Sequence, residues 1–142
     1  MYQGLLHAHS GLRWIVLLLI IITVVNSLGG VTGNKVFTST DKKLSLFALI
    51  STHLQAVLGI LLYFMSPKVQ FSENTMSNSM LRFFTMEHTL MMLIAIILVT
   101  FGNRMAKAGN VKRVFWYYFI ALIIILAAIP WPFREALGSG WF

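Results

Sequence analysis

The sequence predicts an all-α integral membrane protein built as an up-down four-helix bundle. Three observations carry that expectation. Only 11% of the 142 residues are charged and 58% are hydrophobic, whereas an ordinary water-soluble domain has about 25% charged residues. Four apolar runs reach the roughly 20 residues needed to cross the hydrocarbon core of a bilayer. The connections between them are short, which packs sequential helices antiparallel. A single transmembrane domain over residues 1–142 follows, with spans expected at about 5–28, 44–65, 83–102 and 114–133.

The first apolar run is Leu12 to Leu28, and its helix is expected to begin around Gln3 to Leu6, which places His7, His9 and Arg13 in the opening turns. A cleaved signal peptide is the alternative. Leu28, Gly29 and Gly30 make a poor cleavage site for one, so a retained span is expected. The second run, Leu44 to Met65, carries no charge. Thr38 to Asp41 offer oxygen acceptors for the free amides at its start, and Ser66 and Pro67 stop it. The third, Phe83 to Gly102, follows a stretch rich in capping residues from Asn74 to Ser79 and holds Glu87 and His88 among apolar neighbours. The fourth runs from Val114 to Phe133, with Pro130 and Pro132 ending the regular helix. Val69, Phe71, Met76 and Met80 place the middle loop on the membrane surface.

The formal charge of +7 and pI near 10.2 do not point to nucleic acid, because the basic residues sit in short loops beside apolar runs. They set an orientation instead. The first and third loops carry Lys35, Lys42, Lys43, Arg104, Lys107, Lys112 and Arg113, against Arg13, Lys68, Arg82 and Arg134 on the other side. That excess puts the first and third loops in the cytoplasm, so both termini are expected to face outward from a bacterial inner membrane. With no cysteine there is no disulfide, thiolate metal site or cysteine nucleophile. No nucleotide-binding loop, paired carboxylates or ordered Ser/His/Asp set is present in the sequence.

Ionisable side chains inside a span cost a few kcal/mol or more at the bilayer centre, so each is a functional candidate. At about 1.5 Å per residue, His9 lies roughly 6 to 9 Å and His88 about 10 Å below the outer surface, with His53 nearer 15 to 20 Å. His9 and Arg13 are four apart and share a helix face, while His7 points nearly opposite. Thr85, His88, Thr89 and Met92 form one stripe of the third helix. Thr52, Gln55, Ala56, Gly59 and Tyr63 form a small, polar face of the second, flanked by His53. Two histidines at comparable depth on facing helices suit axial ligation of a haem b standing along the membrane normal. His9 and His88 fit best, with His53 as the alternative to either. Arg13, Arg82 and Arg134 are available for haem propionates. The competing reading is structural: His9 bonded to lipid headgroups, Arg13 paired with Glu87, and His53 bonded to Gln55 or a backbone carbonyl across the bundle. The methionines read as gap fillers rather than a copper path, since Met91 and Met92 point to different faces.

Four segments carry a resemblance: His9-Ser10-Gly11-Leu12-Arg13-Trp14, Ser66-Pro67-Lys68-Val69-Gln70-Phe71, Met86-Glu87-His88 and Pro130-Trp131-Pro132-Phe133-Arg134. Together they resemble a family of small four-span bacterial membrane proteins, common in Bacteroidota and usually labelled "cytochrome B", over essentially the whole chain. The resemblance implies a b-type haem carried by the matching histidines, here His9, His88 and His53. A looser similarity is to the CopD and HemJ type of membrane protein. The lysine that the HemJ type places in its third span is absent here, which counts against protoporphyrinogen oxidation. The function expected is electron transfer between a quinone pool and a partner protein. The alternative is a non-catalytic subunit or assembly factor of a larger membrane complex, without haem.

Overall fold

In the computed structural model, which describes residues 1–141, the chain is all-α and forms the expected up-down bundle. Helix α1 spans Tyr2–Ser27 and continues through a short α2, Gly29–Thr32. Helix α3 spans Ser39–Met65, α4 is one turn at Ser79–Arg82, α5 spans His88–Lys107 and α6 spans Val111–Ala128. A π-helical turn, Phe83–Glu87, joins α4 to α5 into one continuous third span. Four helical segments are thus long and apolar enough to cross a membrane: Tyr2–Thr32, Ser39–Met65, Ser79–Lys107 and Val111–Ala128. Their exposed surfaces are those of a bilayer protein, with Leu18, Val25, Ile50, Val57, Ile60, Leu90, Ile97 and Ile123 facing outward.

Local chemistry sets the helix ends. Thr38 opens α3 with a reciprocal cap, its hydroxyl accepting from the Asp41 amide while the Asp41 carboxylate accepts from the Thr38 amide at 2.9 Å. Asn78 and Asn110 cap α4 and α6 in the same sense with their side-chain oxygens. The fourth span ends at Ala128, earlier than the apolar run suggests. Pro130 pushes Ile129 out of helical geometry (φ −70°, ψ 129°), so the hydrophobic residues that follow are not helical.

The helices close a ring in which α1 touches α3 and α6, and α5 also touches α3 and α6, so α1 stands diagonally opposite α5. The core is filled by Val16, Leu17, Ile20, Ala48, Ala95, Val99, Val114, Tyr118, Ala121 and Ile125. Towards the lysine-rich end, the α3–α6 diagonal is bridged by a buried polar knot. The Tyr118 hydroxyl donates to the Ser45 carbonyl (2.9 Å) and lies 2.9 Å from the Ser45 hydroxyl, which donates to Asn103 Oδ1 (3.1 Å). Gly102 admits Tyr118 so closely that a Cβ there would lie 2.6 Å from its ring.

Candidate functional site

The other diagonal, α1 to α5, is bridged near the end that carries the two termini, and the proline-stopped end of α6 prepares it. In a helix the carbonyl of residue i accepts from the amide of residue i+4, and proline has no amide hydrogen. Pro130 therefore frees the carbonyl of Leu126, and because α6 stops at Ala128 the carbonyl of that last residue has no helical amide to accept from either. Side chains take both. Trp131 Nε1 donates to Leu126 O at 2.8 Å, and His88 Nδ1 donates to Ala128 O at 2.8 Å. A carbonyl can only accept, so a proton sits on His88 Nδ1, and in the neutral form of the ring Nε2 keeps its lone pair. Phe83 and Phe84 pack against the same imidazole, with ring centres 5.8 and 6.4 Å away.

His9 of α1 meets His88 across the bundle, edge to face, with ring centres 6.4 Å apart and planes at 70°. Its imidazole rests against Gly59 of α3, where a Cβ would come within 3.3 Å of Cε1. Gln55, one turn earlier on the same helix, donates from Nε2 to the His9 backbone carbonyl at 2.8 Å. Three buried polar atoms gather here without a hydrogen-bond partner among the described residues: His9 Nδ1, Gln55 Oε1 and Arg13 Nε. Arg13, one turn below His9, donates from Nη2 to the Trp141 carbonyl and lies over the Trp14 ring at 5.1 Å. Trp14, Trp131 and Trp141 cluster around it with ring centres 6.2 to 6.4 Å apart.

The remaining candidates stand apart from this pair. His53 is exposed on the outer face of α3, and its Nδ1 donates to Leu49 O of its own helix at 2.9 Å, so neither Gln55 nor a carbonyl across the bundle takes it. Arg82 pairs with Glu87 through a 2.8 Å bond from Nε, and this replaces the expected Arg13–Glu87 pair. Arg134 lies over the Phe83 ring at 4.7 Å and donates to Ala127 O at 3.2 Å. His7 is exposed. No group of three or more His, Cys, Asp or Glu side chains among the described residues could hold a metal ion. A metal on His9 and His88 therefore needs further ligands from a cofactor.

Sequence reading did not single out Gln55 or Lys68 as functional. Lys68 Nζ donates to the carbonyls of Leu137 (3.2 Å) and Gly138 (2.7 Å) and sits 4.9 Å over the Phe84 ring, tying the C-terminal segment to the π-turn that leads into α5. Partial burial there draws its pKa below the usual lysine value. A cation from the middle loop and another from α1 thus hold one segment, a convergence that loop sequence does not announce. Compared with known proteins, the chain matches no family model, no curated protein and no solved structure.

Proposed function

We propose that this four-span protein is a b-type cytochrome or haem-binding membrane subunit, with His9 and His88 as the axial ligands. The observation that carries the reading is their separation. Metal–imidazole bonds run about 2.0–2.1 Å, which sets coordinating nitrogens ~4 Å apart and ring centres roughly 6.3 Å apart on either side of one iron. The two rings lie 6.4 Å apart in T-shaped contact, so the separation fits, and one imidazole has to turn before both Nε2 atoms face a shared iron. The hydrogen bond from His88 Nδ1 to Ala128 O adds support, because a ligating imidazole commonly donates its other N–H to a backbone carbonyl. Two imidazoles are a sufficient protein donor set here, since a porphyrin supplies the other four nitrogens. Bound haem would supply one-electron chemistry. The chain's own residues would hold the ring upright, exclude water, and place Arg13 near a propionate. The resemblance to the "cytochrome B" family supports the same reading, with a quinone pool or a second membrane protein as electron partner. The lysine-rich loops favour a bacterial inner membrane with both termini outward.

The test is the spectrum of protein purified from haem-replete cells, reduced gently with dithionite. A Soret band and an α band from low-spin haem are expected in the wild type and in His53→Ala, and lost in His9→Ala and His88→Ala. A preparation with no bound haem sinks the proposal. If only His53→Ala loses the spectrum, the function stands and the ligand assignment falls.

One observation favours a second reading, a non-catalytic subunit without haem. The polar groups of this end already serve backbone carbonyls at the end of α6 and in the segment after it: His88 on Ala128, Arg134 on Ala127, Arg13 on Trp141, and Lys68 on Leu137 and Gly138. Under that reading His9→Ala and His88→Ala lower stability and change no absorption band.

A further inference from the structure

We propose that the groove between the start of α3 and the end of α5 binds an anionic phospholipid of the leaflet at the lysine-rich end, its phosphate held by Lys42, Lys43 and Lys107. The site lies at the opposite end of the bundle from the histidine pair and needs no haem. Ser39, Lys42, Lys43 and Leu46 follow the i, i+3, i+4, i+7 spacing of a single helix face. The first two turns of α3 therefore carry two ammonium groups beside an apolar side chain. Helix α5 packs antiparallel against α3, and its last residue, Lys107, closes the groove from the other side. These five residues line a space of about 420 Å³.

Depth fits this occupant. The 27 residues of α3 make about 40 Å of helix, against a hydrocarbon core of about 30 Å. Centred on that core, the helix leaves roughly 5 Å at each end in the headgroup layer. Lys42 and Lys43 lie roughly 4.5 and 6 Å from the start of α3, at the level of lipid phosphates, and Leu46 lies roughly 10 Å in, beside the upper acyl chains. Lysine stems can line the apolar part of the groove while their heads stay at that level. Charge points the same way. The lysine-rich end holds seven cations and one carboxylate, Asp41. That carboxylate is taken: it accepts from the Thr38 amide and hydroxyl and from Asn26 Nδ2, and lies 4.0 Å from Lys35. Among the described residues, the ammonium groups of Lys42, Lys43 and Lys107 have neither a hydrogen bond nor an ion pair. Three like charges thus share a groove without a counter-ion from the protein, the arrangement that holds anionic headgroups between membrane helices. A second groove at this end, lined by Asn34, Gly109, Asn110 and Lys112 among others, lies in the loops beyond the helix ends and offers acyl chains no comparable wall. Free inorganic phosphate shares the headgroup's chemistry but makes no use of Leu46.

The experiment is native mass spectrometry of the full chain in detergent micelles, titrated with phosphatidylglycerol or with phosphatidylcholine of the same acyl chains. The first phosphatidylglycerol is expected to bind about ten-fold tighter or more, each lysine near the phosphate being worth about five-fold. Lys42→Gln with Lys107→Gln, one from each wall, should remove most of that preference. Lys112→Gln with Arg113→Gln removes the same charge from the start of α6, diagonally opposite α3, and should leave it unchanged. Equal binding of the two lipids by the wild type overturns the proposal without recourse to any variant. So does an equal loss in both double variants, which would mean a diffuse positive surface. Displacement of the lipid by millimolar inorganic phosphate also overturns it, since the groove would then be a free-anion site.

Discussion

Replacing Tyr118 with phenylalanine removes one hydroxyl from the driest part of the bundle, where Tyr118 and Ser45 both have no accessible surface. Three close contacts meet there, yet Tyr118 and Ser45 bring only two protons between them. The Ser45 proton goes to Asn103 Oδ1, so the Tyr118 proton is shared between the carbonyl and hydroxyl of Ser45. The substitution therefore loses one shared hydrogen bond rather than two. Ser45 O keeps its place in the α3 ladder, and the ring still fills the space against Gly102. The expected cost is about 1 kcal/mol, in the range measured for buried hydrogen bonds and for interhelical ones in membranes. Ser45→Ala should cost a similar amount, because it strips the donor from Asn103 Oδ1. The double variant should fall short of the sum by about 0.5 kcal/mol, the shared contact being counted once. Reversible unfolding in mixed micelles, driven by dodecyl sulfate and followed by far-ultraviolet circular dichroism, measures all three. A Tyr118→Phe loss above about 3 kcal/mol, or none at all, refutes the two-proton account.

Gly102→Ala should be worse, costing about 1–3 kcal/mol by overpacking, because the new methyl would sit 2.6 Å from the Tyr118 ring and 3.2 Å from Tyr117 Cβ; thermal melting in detergent reads the loss. Gly59→Ala meets only the His9 ring, at 3.3 Å, so the fold should hold while any low-spin haem spectrum weakens or shifts. Arg82→Ala breaks a half-exposed ion pair with Glu87 and should change stability by less than about 1 kcal/mol, checked in the same micelle titration. Lys68→Met should free the C-terminal segment from its two carbonyl contacts, raising its cleavage rate by added protease several-fold with the spans left intact.

Much of the fold was legible because a bilayer imposes one coarse rule on length and apolarity, and the four runs obey it. The facing of His9 and His88 was legible for a related reason, since depth along a helix follows from counting residues. Azimuth was harder. His53 lies at a reasonable depth, yet a turn of about 100° from Thr52 is enough to put it on the outer face. The Arg82–Glu87 pair was hidden by local geometry: residues five apart point about 140° away from each other on an α-helix, and it is the π-turn at 83–87 that brings them together. A π-turn leaves no mark in apolar periodicity. Lys68 was illegible because its partners are backbone carbonyls in a segment 69 and 70 residues away, and carbonyls carry no residue identity. The prolines read as helix stops, but which side chains take the carbonyls left free there, Trp131 on Leu126 and His88 on Ala128, is written in the packing and not in the spacing.

The bond between His88 and Ala128 also sets an order of events during synthesis. His9 and His88 belong to the first and third spans, but the carbonyl that orients His88 is the last residue of α6. A nascent chain with three spans in the membrane holds both imidazoles and lacks the group that turns one of them. Insertion of the fourth span thus supplies the carbonyl that orients His88.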